Sequence, residues 1–403
     1  MSSKGIRYLF KSKQFHYQAL RTLGHSIYHG AAPGEVLSVI NHIKDGDVQN
    51  WHDQWIDMGK KSVNQAESSN DNLFKGNAFL RASNYFRTSE FFMDINDQNR
   101  LAVYNESVDT FQKALKYLSI KHKIYYVPYE NGKMRNYYFP GDKEKPLIFI
   151  CGGFDSTNEE SFFWMGSALI QRGYPVIMFE GPGQSSMLRE YQIKFISDWH
   201  LIVSKIIDAS IMQDNALAKK KKVLLGISYG GLLAGRAAPF ENRIDAIALF
   251  GGPFDTVEAG LFQAPVIARW LYEHNYKKAF NVLSEIKQFF DPGLRWGVKN
   301  GLWTIGGQNA FDFLKIATDF TQKNIHEKVK CHVLNFYGEK DIYVVDGFQD
   351  VMFEKAFPNA ASYTLKIFKE EEGSAEHCQI GSGEQAVQLF VTWLNNCNLE
   401  DKK

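Results

Sequence analysis

The stretch KKVLLGISYGGLLAGRAA, residues 221–238, decides how the chain is read. Val223, Leu224 and Leu225 form a short apolar run of the kind that suits a strand covered on both faces. Gly226-Ile227-Ser228-Tyr229-Gly230 follows at once, and then come the small residues of a closely packed helix. A serine flanked by glycines at a strand-to-helix junction can be turned sharply enough to lift its hydroxyl above the sheet. The N-terminus of the helix behind it favours negative charge developing there. A bare G-x-S-x-G match is common by chance, so the strand before it and the helix after it carry the reading.

On either side of this turn, strand and helix signals alternate. Upstream stand PLIFICGG (146–153), a helical stretch over about 159–172, YPVIMFEG (174–181) and another helix within 190–212. Downstream stand IDAIALFGG (244–252), CHVLNFYG (331–338), a helix near 348–356, SYTLKIFK (362–369) and a final helix near 385–395. The pattern predicts an α/β protein with a mostly parallel sheet and helices on both faces, and with the serine turn at its centre it predicts the α/β-hydrolase fold. Residues 253–328 lack strand signals, carry Trp270, Trp296 and Trp303, and are expected to form a helical lid.

Residues 1–121 are expected to form an all-helical N-terminal domain, and 122–403 the catalytic domain. Phe79, Ala82, Tyr85, Phe86 and Ser89 recur at helical spacing, as do Val108, Phe111, Ala114 and Leu118. Near Lys123 the period changes to two. KIYYVPYE and KMRNYYFP flank Asn131-Gly132, which predicts a hairpin turn with positive φ at those two residues.

With 46 basic against 45 acidic side chains, no overall field draws the chain to nucleic acid or an anionic membrane, and a small-molecule partner is expected instead. The opening residues lack the apolar core and small-residue cleavage site of a secretory signal. No segment reaches the ~18 apolar residues of a membrane span. Cys151, Cys331, Cys378 and Cys397 have neither metal-ligand nor disulfide-framework spacing, so reduced thiols in a cytoplasm are expected, Cys378 in a packing role.

A serine hydroxyl needs a neighbouring base to take its proton, and that base needs an orienting acid. In this fold they follow in the order Ser, Asp or Glu, His, in loops after later strands. Asp341 follows CHVLNFYGEK, and His377 follows SYTLKIFK through EEEGSAE. Asp346 competes as the acid, although it is better placed to cap the next helix. The oxyanion of an acyl-transfer intermediate needs two donors. One is the Tyr229 amide at the helix start. The other is expected from Gly152-Gly153-Phe154-Asp155-Ser156, with Phe154 preferred narrowly to Gly153. Glu180-Gly181-Pro182-Gly183-Gln184 borders the same edge and reads as a tight turn. Neither glycine-rich loop has the ending of a phosphate-binding loop.

RASNYFRTSEFF (81–92), GGFDSTNEES (152–161), FEGPGQ (179–184) and GISYGG (226–231) together resemble a group of hydrolases that includes 2,6-dihydroxypseudooxynicotine hydrolase and the polyketide-shortening hydrolases of aromatic-pigment pathways. The resemblance covers the chain from about Trp51 onward. It implies hydrolysis of a carbon–carbon bond in a β-diketone or polyketide-type substrate, free or bound to a carrier protein, by a retro-Claisen step at Ser228. It also implies a homodimer, and it calls for no cofactor and no metal. Asp155, in the acidic position of the group's GG-x-D/E-S motif, would hold a substrate oxygen or, if burial keeps it protonated, donate a proton, the other reading being a cap on its own loop. Tyr85, Phe86, Trp164 and Trp270 would either line a pocket between sheet edge, lid and helical domain or pack as ordinary core. The same triad would serve a carboxylesterase or thioesterase, and the fold also supports binding proteins without turnover.

Overall fold

The computed structural model describes residues 9–262, 264–343, 353 and 356–399. They divide into two compact units. One takes the described residues up to Ile120 together with Glu285–Asn300, and the other takes Lys121–Ser284 and the described residues from Gly301 onward.

The helical unit contains α1 (Lys13–Gly24), α2 (Pro33–Ile40), α3 (Val48–Ser68), α4 (Asn72–Glu90) and α5 (Arg100–Tyr117). Side-chain caps start three of them: Ser12 accepts from the Phe15 amide, Asp47 from Asn50 and Asp71 from Leu73. Trp51 and Trp55 of α3 pack with Phe15 and Tyr85 in the unit's core. The spacing in α4 suggests one apolar face, yet every residue from Ala82 to Glu90 is buried. Several of the polar ones find partners on different sides. Ser83 Oγ donates to the Ser107 carbonyl at 2.8 Å, Asn84 Nδ2 to the Gly30 carbonyl at 2.8 Å, and the Thr88 hydroxyl meets that of Thr22 at 2.8 Å. RASNYFR is therefore the helix around which the unit is assembled.

The second unit holds one eight-stranded sheet with β1 (Lys123–Tyr129), β2 (Gly132–Phe139), β3 (Leu147–Cys151), β4 (Val176–Phe179), β5 (Lys222–Ile227), β6 (Ala246–Phe250), β7 (His332–Gly338) and β8 (Ser362–Phe368). Its order is β1-β2-β4-β3-β5-β6-β7-β8. β1 and β2 form the antiparallel hairpin, β2 runs antiparallel to β4, and all later pairs are parallel. The central strands are wholly buried, as crossover helices on both faces require. A π-helical turn (Phe162–Gly166) leads into α6 (Ser167–Gln171), followed by α7 (Ser185–Arg189), α8 (Trp199–Gln213) and α9 (Tyr229–Ala237).

Two expectations are corrected here. The hairpin loop is Glu130-Asn131, with Glu130 at φ 50°, while Gly132 is the first residue of β2 and pairs with Tyr129. Gly132 is needed for room, because a Cβ there would lie 2.8 Å from the Tyr191 ring. Between β6 and β7 the chain forms α10 (Thr256–Phe262), α11 (Val266–Glu273), α12 (Lys277–Phe290), α13 (Pro292–Thr304) and α14 (Ala310–Ala317). The expected lid is not one body, since Glu285–Asn300 belongs with the helical unit. There Trp296 stacks on Phe91 at 4.7 Å and donates its ring N–H to the Phe91 carbonyl, and Lys299 pairs with Asp94 at 3.0 Å. The chain closes with α15 (Gly383–Asn396). The helix expected near 348–356 lies outside the described residues, apart from Phe353 and Ala356.

Candidate active site

β5 ends at Ile227 and α9 starts at Tyr229, leaving Ser228 between them at φ 57°, ψ −127°. A non-glycine residue held there costs about 1–3 kcal/mol and persists only where its surroundings enforce it. Here the Ser228 amide donates to the Phe250 carbonyl at 2.7 Å, and the Gly231 amide donates to the Ser228 carbonyl at 2.8 Å. The motif glycines work by what they leave out. A Cβ at Gly226 would run into the Gly230 carbonyl, and one at Gly230 would lie 2.6 Å from the Gly152 carbonyl oxygen. Only bare Cα atoms let α9 close onto the ends of β5 and β3.

After β7, the Glu339 amide donates to the Phe368 carbonyl at 3.0 Å and the Lys340 amide to the Ala375 carbonyl at 2.9 Å. A Cβ at Gly338 would collide with the Ala375 carbonyl, so this glycine permits the two loops to touch. They bring Asp341 and His377 together. Asp341 is buried, its Oδ1 accepts from the Tyr343 amide at 2.8 Å, and its Oδ2 lies 2.6 Å from His377 Nδ1. His377 Nε2 lies 2.8 Å from Ser228 Oγ, and the Tyr343 ring stands edge-on to the imidazole at 4.8 Å. Burial, the largest single influence, disfavours the imidazolium, but the adjoining Asp341 carboxylate and Cys378 sulfur together outweigh it and hold His377 well above the usual histidine range. An imidazole placed between carboxylate and hydroxyl can take the hydroxyl proton as its oxygen attacks. The competing Asp346 lies outside the described residues.

Gly153 approaches Ser228 so closely that a Cβ on it would sit 2.7 Å from Ser228 Cβ and 3.0 Å from Oγ. Its own amide donates to Ser156 Oγ at 2.7 Å. Phe154 comes next, with its ring 5.3 Å from that of Tyr229, whose hydroxyl meets Thr256 Oγ1 at 3.0 Å. Asp155 is half-buried. Cys378 is a buried free thiol beside the Phe250 carbonyl, and the four cysteines form no disulfide.

The aromatic residues expected as pocket walls separate. Tyr85 is core of the helical unit: it is fully buried, accepts from the Ala32 amide at 2.9 Å and donates to Glu35 at 2.7 Å. Phe86 packs with Ala82 and Val103, and a Cβ on Gly59 would strike its ring. Trp164 is buried edge-on to Phe250, at 6.2 Å, next to the carbonyl that receives the Ser228 amide. Trp270 is 43 % exposed and stacks on His274 and Tyr276 of its own segment.

Three buried polar residues were not singled out by sequence reasoning. Gln184 Nε2 donates to the Gly152 carbonyl at 2.6 Å, and Ser156 receives the Gly153 amide. Glu180 accepts from the amides of Arg135, at 2.8 Å, and Ser186, at 3.2 Å. Burial raises the Glu180 carboxyl to about 7, with the Arg135 guanidinium opposing and Glu159 adding to the shift. FEGPGQ is legible as a turn, but nothing in it says that its glutamine reaches another strand's end. Among the described residues no three His, Cys, Asp or Glu side chains group to hold a metal, and no helix is long and apolar enough to cross a membrane.

A family model described as the alpha/beta hydrolase fold matches residues 145–289. The 20-hydroxy-prefusarin hydrolase FUS2 of Gibberella moniliformis is 30% identical, over 96% of this chain and 97% of that protein. Hydrolase acrC of Aspergillus aculeatus is 28% identical over the same shares. Among solved structures, 2,6-dihydroxy-pseudo-oxynicotine hydrolase matches with a TM-score of 0.70 at 20% identity, covering 93% of this chain and 95% of its own. AbyA5 matches with a TM-score of 0.65 at 16% identity, covering 95% of each. These two likenesses are of fold. Given a relative 30% identical along nearly its whole length and a sheet of this order, the chain belongs to the α/β-hydrolase family and is a hydrolase.

Proposed function

We propose that the protein is a serine hydrolase with Ser228 as nucleophile, His377 as general base and Asp341 as orienting acid, and that it cleaves a carbon–carbon bond in a β-diketone or polyketide-type substrate. The observation that carries the first part is the unbroken chain Ser228 Oγ–His377–Asp341, at 2.8 and 2.6 Å. Ser228 Oγ attacks a substrate carbonyl while His377 takes its proton, and the oxyanion is held by the amides of Phe154 and Tyr229. Phe154 is preferred to Gly153 because the Gly153 amide already serves Ser156. Collapse breaks the bond to the adjacent carbon, and the electron pair is taken up as an enolate by the second carbonyl. His377 returns the proton to that carbon. Water, deprotonated by His377, then releases the acyl group as a carboxylic acid and restores Ser228.

The choice of a carbon leaving group is supported by the resemblance of the 81–92, 152–161 and 179–184 segments to hydrolases of that kind. Overall identity to a 20-hydroxy-prefusarin hydrolase supports a small-molecule substrate. Trp164, beside Phe250, is proposed as a wall, and Asp155 as the group that holds a substrate oxygen by accepting the hydrogen it carries, which orients the leaving part of a diketone. The test compares an aryl 1,3-diketone with an aryl ester of similar size, in wild type and in Asp155→Asn. The diketone is expected to yield two fragments, and the variant is expected to lose more on the diketone than on the ester. Ester turnover with no cleavage across a set of diketones and polyketide thioesters would make the protein a carboxylesterase or thioesterase.

The histidine makes a separate prediction. A base acts only when neutral, so kcat/KM is expected to rise with pH through a midpoint above 6.5, the ordinary histidine value, because His377 is raised. In Asp341→Asn the opposing carboxylate is gone while burial remains. The midpoint of the residual activity then moves to lower pH, which a pH–rate profile of the two enzymes measures.

A further inference from the structure

One peptide group beside the nucleophile is held at both ends by side chains. The carbonyl of Gly152 and the N–H of Gly153 belong to the same planar unit. Gln184 Nε2 donates to that carbonyl at 2.6 Å, and Ser156 Oγ accepts from that N–H at 2.7 Å. Both side chains are buried. Gln184 is itself held, since its Oε1 accepts from the Gly181 amide at 3.1 Å. The Glu180 carboxylate closes the same loop by accepting from the amides of Ser186 and Arg135. Ser156 is seated against Gly152, where a Cβ would be 2.6 Å from its own.

The next peptide group along the chain, Gly153–Phe154, carries the proposed oxyanion donor. Its orientation depends on two torsions at Gly153, a residue with no side chain to restrict them. A free glycine pair would leave the Phe154 N–H to sweep a wide arc, and a donor out of line by tens of degrees contributes little. Fixing the preceding plane gives those two torsions a fixed frame to start from, and the close approach of Gly153 to Ser228 limits the range they can take.

We propose that Gln184 and Ser156 are positioning residues that clamp the Gly152–Gly153 peptide plane and thereby aim the Phe154 amide at the oxyanion. Neither touches substrate. The inference rests on the reading of Ser228 as nucleophile and Phe154 as oxyanion donor. A clamp acts when charge develops on the carbonyl oxygen, so it changes kcat and leaves substrate binding alone.

The test uses Gln184→Met, which keeps the volume and loses both hydrogen bonds, and Ser156→Ala, which keeps the Cβ seated on Gly152. Active sites are counted by fluorophosphonate titration, and kcat is expressed per titrated site on whichever ester or diketone the wild type turns over. Each variant is expected to lose about 10–10² in kcat with KM within about twofold, somewhat less than deletion of a donor. Affinity for a trifluoromethyl ketone, which forms the tetrahedral adduct, is expected to fall by the same factor. The double variant is expected to be little worse than either single one, because both act on one plane. A merely structural role would lower the thermal midpoint and the number of titratable sites while kcat per site stayed unchanged, and that result in both variants overturns the clamp. Unchanged ketone affinity beside a reduced kcat also overturns it. Failure of the wild type to be labelled at Ser228 overturns the catalytic reading and the clamp with it.

Discussion

Ser228→Ala is expected to lower kcat/KM by about 10⁶-fold, the scale of loss seen when the serine of other triads is removed, and to abolish fluorophosphonate labelling. Alanine keeps the Cβ, so the backbone at φ 57° remains as strained as before and the fold is retained. Ser228→Gly separates the two properties of this position. It removes the hydroxyl as well, so it should be equally inactive, but it relieves a left-handed strain of about 1–3 kcal/mol against a glycine entropy cost of about 0.5–1 kcal/mol. Its Tm is therefore expected at or above that of Ser228→Ala. Equal labelling of the alanine variant would remove Ser228 as nucleophile, and a glycine variant much less stable than alanine would refute the strain.

Asp341→Asn is expected to cost about 10⁴-fold in kcat, the scale found for the orienting carboxylate elsewhere. The reason is a choice of tautomer. Asp341 accepts from two sides, from Tyr343 at Oδ1 and from His377 at Oδ2. An asparagine in the same place has one acceptor and one donor. If its oxygen stays with the Tyr343 amide, its NH₂ faces His377 Nδ1, and the imidazole must carry its proton on Nε2, where it can no longer accept one from Ser228. If it flips, its NH₂ faces the Tyr343 N–H and a buried donor goes unpaired. Asp346→Asn is expected to keep most of kcat. Steady-state kinetics of the two variants decide between the acids, and an active Asp341→Asn beside an inactive Asp346→Asn would reverse the assignment.

The candidate site was legible where the chemistry is local or where chain order is dictated by topology. Ser228 stands between two glycines at the end of an apolar run, and the structure puts it alone at positive φ between β5 and α9. Asp341 and His377 were found by asking which acid and which histidine follow later strands in the right order, and the structure brings both to Ser228. Gln184 and Ser156 were not found. The partner of Gln184 lies at the end of another strand and that of Ser156 within its own loop, and a glutamine in a turn has the same sequence whether it faces water or another strand's carbonyl. Tyr85, which the sequence leaves open between pocket wall and core, has its hydroxyl on Glu35 and the Ala32 amide in a helical core.

By itself the sequence determined the alternation of strands and helices, the all-helical start and the serine turn between β5 and α9, because each depends on residue periodicity or on sterics within a few residues. Tertiary structure decided the rest. It assigned Glu285–Asn300 to the helical unit through Trp296 and Phe91, buried the Ala82–Glu90 part of α4 on every side, and made Gly132 a matter of room for Tyr191 instead of turn geometry. It also decided that Gln184 holds the carbonyl of the Gly152–Gly153 peptide. In each of these the energy comes from atoms distant in sequence that meet only after the chain has packed, and hydrophobic periodicity carries no record of which surface a residue will meet.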